Sequence, residues 1–301
     1  CEQFKLNLYL LDWLYDQGVK DIYFGHKIKN IEQNSDSVTV VAGTPNGDRS
    51  YMGNWLIGAD GANSIVRQLS GINFEGFTWE EKFLVVSTTY DYKKYIKNLS
   101  YVNYYADPQQ WFFLLKVPGL WRVMFPVQKE ENEADIFGAE CVENRMQWVQ
   151  ASPKTFEIAH RTLYKVHQRV AAKYREGRIF LIGDAAHINN PLGGMGMNGG
   201  IHDAFNLAEK ISLFWHNQKN SSVLDLYEKQ RRPIALEYVN KQSIKNKQNL
   251  EANTLEAQEA FRVFLSELME DQSRAREYMM RVSMISSLRE ARRNDYFSNR
   301  S

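Results

Sequence analysis

The stretch GRIFLIGDAAHINNPLGGMGMNGGIHDAFNLAEK, residues 177–210, constrains the fold more than any other part of the chain. It opens with the apolar run RIFLIG, which has the character of a buried strand. It closes in a helical pattern, in which Ile201, Phe205, Leu207 and Ala208 are expected to form the buried stripe. Between strand and helix lie Asp184 and the glycines Gly193, Gly194, Gly196, Gly199 and Gly200. A strand that runs through a bare loop into a helix belongs to an α/β layer, and such layers bind ligands at the carboxyl ends of their strands. Asp184 follows Gly183 at that end. It can accept a hydrogen bond from a sugar hydroxyl, or it can cap the next helical turn.

The glycines allow a backbone to approach another surface closely. If they lead into a helix N-terminus, its free N–H groups suit a group that carries or gains negative charge. Tight packing of helix against sheet is the other use of such residues. Gly194-x-Gly196-x-x-Gly199 formally matches the dinucleotide fingerprint, but it does not directly follow the strand, and no second strand with an acidic end comes about 20 residues later. Asp184, His187, His202 and Asp203 match no zinc-ligand spacing, so no metal site is expected. No Gly-x-Ser-x-Gly elbow supports a serine hydrolase.

A second block, IGADGANSIVRQ at residues 57–68, has the same grammar of strand, Asp-Gly and short helix. Asp60 and Gly61 stand at the strand end. Arg67, a turn further on, could reach a phosphate or form a surface ion pair. Two such units in one chain suggest one extended ligand held from two sides.

The surrounding sequence fills in the order. The chain begins inside what reads as a helix, with Phe4, Leu8, Leu11 and Tyr15 at helical spacing and a stop at Gln17–Gly18; strands are expected at 19–24, 27–31, 37–41 and 54–58, with PNGD (45–48) as a turn. FLVVSTTY, YVNYYA, WFFLLKV and WRVMFPV, between residues 83 and 127, read as a sheet, followed by a helix over 130–150 and a strand near 155–164. In SVLDLYEKQRRP, Ser222 and Asp225 have capping-box spacing, and Pro233 is expected to end or bend the helix. The rest reads as polar helix with Phe261, Phe264, Leu265 and Leu268 at helical spacing.

The net charge of +1 over 301 residues gives no pull toward nucleic acid. The patch Arg289, Arg292, Arg293 and Arg300, broken by Glu290 and Asp295, reads as a solvated helix end. Two cysteines, Cys1 and Cys141, form no disulfide framework and suit a reducing, cytoplasmic setting. No apolar run is long enough to span a membrane.

The residues LIGADGANSIVRQ and GRIFLIGDAAHINNPLGGMGMNGGIHDAFNLAEK resemble the DG and GD motifs of the single-component FAD-dependent aromatic hydroxylases, the para-hydroxybenzoate hydroxylase-like family. The order of blocks, from about Gln3 to Pro233, is also similar. The resemblance implies an α/β fold: a three-layer, Rossmann-like FAD-binding domain, interrupted by a mainly antiparallel substrate-domain sheet and followed by C-terminal helices. The expected domains are 1–75 and 166–220 for FAD, 76–165 for substrate, and 221–301 for the helices. The family's first βαβ unit and its glycine fingerprint are missing. Because the chain begins with Cys1 within helical spacing, it reads as N-terminally truncated.

Roles follow from the same resemblance. Asp184, beside Gly183, would hold the ribitol chain of FAD. Pro191, Gly193, Gly194, Gly196, Met197 and Asn198 would pass along the isoalloxazine edge. Asp60 and Gly61 would support the pyrophosphate, Arg67 would assist NAD(P)H, and Gln3 would add a polar contact. The implied cycle reduces FAD with NAD(P)H, adds O₂ at flavin C4a, and transfers one oxygen to a small aromatic substrate. Trp111, Phe113, Arg122 and Phe125 are candidate substrate walls, though aromatic residues on a sheet are also ordinary core. A reductase, epoxidase or halogenase of the same superfamily, and a non-catalytic chain, are alternatives. The helical tail could pack on its own domain or make a homodimer contact.

Overall fold

The computed structural model describes residues 3–107, 109–217, 221–252 and 254–293, so Cys1, Asp295 and Arg300 lie outside the described residues. In chain order the elements are α1 (Gln3–Asp16), β1 (Lys27–Gln33), β2 (Val38–Thr44), β3 (Gly47–Gly53), β4 (Leu56–Gly58), α2 (Ile65–Leu69), β5 (Phe74–Thr88), β6 (Val102–Tyr105), β7 (Phe112–Val117) and β8 (Leu120–Val127). There follow α3 (Glu133–Ile136), α4 (Ala139–Val149), β9 (Ile158–Ala171), β10 (Arg175–Glu176), β11 (Ile179–Leu181), β12 (His187–Ile188), α5 (Met195–Asn217) and α6 (Ser222–Ile234). A π-helical segment, Ala235–Asn240, leads to α7 (Lys241–Leu250), α8 (Leu255–Glu270), α9 (Gln272–Val282) and α10 (Ile285–Arg293). No helix among the described residues is long and apolar enough to cross a membrane.

The chain divides into two compact units. One, the α/β unit, comprises Gly25–Thr78, His167–Asn249 and Thr254–Ser301; the other, the sheet unit, comprises Cys1–Phe24, Trp79–Val166 and Leu250–Asn253. The chain divides at 78/79 and 166/167, and residues 1–24 group with Trp79–Val166.

In the α/β unit, β4 and β11 run parallel with Phe180 opposite Ile57, and β10 pairs antiparallel with β11. Parallel neighbours this far apart in sequence need a long crossover, and the inserted sheet lies within it. Gly58 is required at this junction: a Cβ there would fall 2.8 Å from Val66 Cγ1 and 2.9 Å from Leu181 Cδ2. Strands β1, β2 and β3 form a separate antiparallel meander. Ile179, Phe180, Leu181, Val66, Leu207, Leu224 and Tyr227 belong to one buried core.

In the sheet unit, β8 lies between β5 and β7, and β6 pairs with β7, all antiparallel. One face carries Phe112, Leu114, Trp121, Val123 and Phe125 into a core with Ile136 of α3 and Val142 and Met146 of α4. Helices α3 and α4 replace the single expected helix, because Gly138 interrupts the run as the residue before α4.

Several other expectations are corrected. Residues 19–24 form no strand, and Val19, Tyr23 and Phe24 are exposed. Conversely, β3 is a strand whose sequence shows no apolar alternation, held by its hairpin with β2 across the tight turn at Pro45 and Asn46. Asp225 does not complete a capping box but pairs with Arg175 at 2.5 Å. Pro233 does not end its helix; it stands inside α6 just before the π-helical segment. A missing N–H loosens the ladder there without stopping the helix. The largest correction concerns α5. Phe205 is 77% exposed and Ala208 is exposed, while Asp203, Leu207 and Lys210 are buried. The inward face of this helix is partly ionic.

Candidate functional site

The pairing of β4 with β11 brings the two strand–aspartate–glycine turns side by side: Ile182 N donates to Gly58 O at 2.9 Å. The two aspartates then behave differently. The Asp60 carboxylate accepts from Ser64 Oγ at 2.5 Å, Ile65 N at 2.7 Å and Val66 N at 3.0 Å. It caps α2, together with Ser64 Oγ, which accepts from Arg67 N at 2.9 Å. Gly61 supplies the left-handed corner of the turn, at φ +78°. Arg67 is neither a surface ion-pair former nor an outward-facing phosphate ligand. It is 5% exposed, donates to Ala62 O and Ala185 O at 2.8 Å each, and lies 3.7 Å from the centre of the Phe74 ring. It fastens one turn to the other.

Asp184 has no hydrogen-bond partner for its carboxylate among the described residues and retains accessible surface. It does not serve as a helix cap; Ile182 occupies that position ahead of the short turn at Gly183–Ala185. Partial desolvation raises its pKa above the ordinary aspartate value, with nearby His187 acting the other way. An aspartate held in this way has unused acceptor capacity facing outward, as a hydroxyl-binding role requires.

Behind it lies a buried ionic cluster. Asp203, fully buried, receives Gly183 N at 3.1 Å and contacts His187 Nε2 at 2.7 Å through Oδ2, and receives Arg231 Nε at 2.7 Å through Oδ1. Burial opposes its charge, but His187 and Arg231 together outweigh that and hold its pKa below the ordinary value. Glycines close the same junction: a Cβ on Gly200 would stand 3.1 Å from Gly183 Cα, and one on Gly199 3.0 Å from His187 Cε1.

The approach to α5 is more open, except at Gly193, where a Cβ would fall 2.8 Å from Asn246 Nδ2 and 2.9 Å from Met195 Cε. Pro191, Gly193, Gly194, Met197 and Asn198 are exposed. Gly193 and Gly194 have φ of +106° and +64°, so the backbone here needs glycine. A Cβ on Gly194 would meet nothing within 4 Å, and one on Gly196 only Asn189 Oδ1 at 3.5 Å. The first amides of a helix lack acceptors within it, and no side chain among the described residues caps those of Met195 to Asn198.

The loop is supported from behind by amides. Asn190 donates twice to Gln168 Oε1 at 3.2 Å, and Gln168 Nε2 donates to Asn240 Oδ1 at 2.8 Å and Ser243 Oγ at 3.0 Å. Asn190 Oδ1 accepts from Leu192 N at 3.1 Å, and Asn246 Nδ2 donates to Leu192 O at 3.3 Å. Sequence reasoning missed Asn240, Ser243 and Asn246 because the segment near 240–250 reads as polar helix. Ser243 and Lys247 are in fact buried.

The remaining candidates belong to the sheet unit. Gln3 is the exposed first residue of α1. Strand alternation puts Phe113 and Arg122 on the face opposite the α3/α4 core, since Phe113 pairs with Met124 and Arg122 pairs with Leu115 and Ser87. Trp111 meets Phe83 edge-on at 5.4 Å. Phe125 is fully buried in the opposite core, so it does not share a wall with Phe113 and Arg122.

Comparison with known proteins agrees with this geometry. The family described as "FAD binding domain" matches residues 1–242. The chain is 33% identical over 223 residues to para-nitrophenol 4-monooxygenase of Pseudomonas sp. (strain WBC-3), covering 72% of this chain and 54% of that protein. It is 31% identical over 251 residues to 6-hydroxy-3-succinoylpyridine 3-monooxygenase HspB of Pseudomonas putida (strain DSM 28022 / S16), covering 82% of this chain and 63% of that protein. The crystal structure of p-nitrophenol 4-monooxygenase PnpA from Pseudomonas putida DLL-E4 matches with a TM-score of 0.87 at 28% identity, over 95% of this chain and 72% of that chain. The chain thus spans 54% to 63% of the length of these curated relatives. The family match and the paired strand–aspartate–glycine turns lead to one conclusion: the chain belongs to the FAD-dependent aromatic hydroxylase family.

Proposed function

We propose that this chain carries the flavin-holding turns of an NAD(P)H- and O₂-dependent monooxygenase that hydroxylates a small, hydroxyl-bearing aromatic ring. The observation that carries the reading is the open peptide edge at the start of α5. Along one short stretch, Gly199 and Gly200 are packed tightly, whereas a Cβ on Gly194 would meet nothing within 4 Å and one on Gly196 only Asn189 Oδ1 at 3.5 Å. A flat ring fits such an edge, so the residues present suit FAD.

In this reading Asp184 accepts a hydrogen bond from the ribitol chain, as its unpartnered carboxylate allows. The amides of Met195 to Asn198 stabilise negative charge on the ring through the helix N-terminus. Asp60 and Arg67 act indirectly: the first by fixing α2, the second by tying the two turns together. When bound, FAD supplies the electron transfer and oxygen insertion that no side chain can provide. Phe113 and Arg122, on the face away from the helical core, offer an apolar wall and a cation for a phenolate or carboxylated ring. The names of the two relatives, a nitrophenol and a hydroxypyridine monooxygenase, support a hydroxylated ring as substrate. A cytoplasmic setting fits the two cysteines and the absence of a membrane-crossing helix among the described residues.

The test supplies FAD, NADH or NADPH, ¹⁸O₂ and a panel of phenols. Expected is phenol-dependent oxidation of the nicotinamide with one ¹⁸O atom in the organic product. Nicotinamide oxidation that yields only hydrogen peroxide for every phenol would overturn the hydroxylase reading. A protein that stays colourless with FAD would overturn the flavin reading.

A further inference from the structure

Helix α5 turns Asp203 inward at a position where helical spacing would favour an apolar side chain, between Gly199 and Leu207 on its buried face. An ionised carboxylate there is costly unless every oxygen is engaged. Both are. Oδ2 holds Gly183 N and His187, which lie on either side of Asp184; Oδ1 holds Arg231, whose Nη2 also reaches Gly199 O at 3.4 Å. One carboxylate thereby ties the turn that carries Asp184 to the helix whose open first turn lies just before Gly199. The junction is tight: a Cβ on Gly200 would stand 3.1 Å from Gly183 Cα.

We propose that Asp203 is a positioning residue of the cofactor site, fixing the spacing between the Asp184 carboxylate and the open amides of α5. The inference rests on the reading that these two features hold the ribitol chain and the ring of FAD. Asp203 is fully buried; it acts through Gly183 and, by way of Arg231, through Gly199. A ligand that spans both features depends on their spacing, whereas one that uses only the ring edge does not.

The test compares FAD with lumiflavin, which has the ring but no ribitol chain, in the unmutated protein and in D203N and D203E. The ratio of lumiflavin Kd to FAD Kd is expected to fall by at least about tenfold in both variants. A role in charge balance alone predicts that D203E restores the ratio; that result, or an unchanged ratio in D203N, overturns the proposal. A second readout needs no flavin: the Gly183 amide should exchange at least about tenfold faster in D203N than in the unmutated protein, relative to the Ile179–Leu181 amides. A uniform rise across both sets would indicate general destabilisation and overturn it. If D203N does not fold, R231K is used, which keeps a cation beside Asp203 but loses the fork to Gly199 O. The ratio should then fall by at least about threefold, and no change overturns the proposal. Failure of the unmutated protein to bind either flavin would reject the flavin reading, while the Gly183 exchange would still decide whether Asp203 locks the turn.

Discussion

Gly196 and Gly200 are one helical turn apart on α5, yet their surroundings ask opposite things of them. A methyl group at Gly200 would press on the Gly183 backbone, whereas one at Gly196 has room. Gly200→Ala is therefore expected to lower stability by about 1–3 kcal/mol through overpacking. Gly196→Val should leave the melting temperature of the flavin-free protein nearly unchanged but raise the FAD Kd by at least about tenfold, by intruding on ligand space. Thermal melts and FAD titrations of the two variants check this; equal FAD affinity for Gly196→Val would remove the ring from this edge. Asp184 makes a second prediction. Its folded pKa is raised, so the folded state binds its proton more tightly than the unfolded state, and its contribution to stability is lost as pH rises from about 3.8 through the folded value. D184N should consequently melt higher than the unmutated protein at neutral pH without flavin, with the gap closing toward pH 3.8. With FAD present the order reverses in affinity: Asp184→Ala is expected to lose about 1.5–3 kcal/mol of binding, the range for a hydrogen bond to a charged group. The sequence made the glycine loop and Asp184 legible because few residue patterns leave a backbone so bare. It did not distinguish open glycines from packed ones, since that depends on what lies opposite each. Nor did it expose Asp203, because a periodicity argument sends apolar Phe205 inward, while the fold exposes it and buries the carboxylate among His187, Arg231 and Gly183 N.

At the scale of elements, the two turns differ in how they are stabilised. Helix α2 has only five residues, too few to persist without caps. Asp60 supplies them by receiving two backbone amides and the Ser64 hydroxyl. Asp60→Ala is expected to cost about 1–2 kcal/mol, and the loss should appear as faster exchange of the Ile65 and Val66 amides before any change in the rest of the α/β unit. Unchanged protection at those amides would show that the cap is dispensable. The elements that could be read from sequence, β4, β11 and the strands of the inserted sheet, have strong apolar runs bounded by turn residues. Those that could not, such as β3 and the switch from α6 into the π-helical segment, owe their form to a neighbouring strand or a proline inside a packed helix. Such tertiary causes leave little trace in local periodicity.

At the scale of the molecule, every side chain assigned here to flavin binding through the two turns belongs to the α/β unit. A ligand held by one unit protects that unit by mass action, by about 2.7 kcal/mol when its concentration is 100 times its Kd. FAD should therefore raise the melting temperature and slow amide exchange across β4, the Asp60 turn, β11 and the first turns of α5. The α3/α4 core of the sheet unit, which contributes none of those groups, should show the smaller change. Hydrogen exchange read by mass spectrometry, with and without FAD, separates the two regions. Protection concentrated on the sheet unit would move the cofactor away from the glycine loop, however tightly FAD bound. Protection concentrated on residues 56–67 and 183–203 would locate it at the paired strands, the Asp184 turn and the first turns of α5.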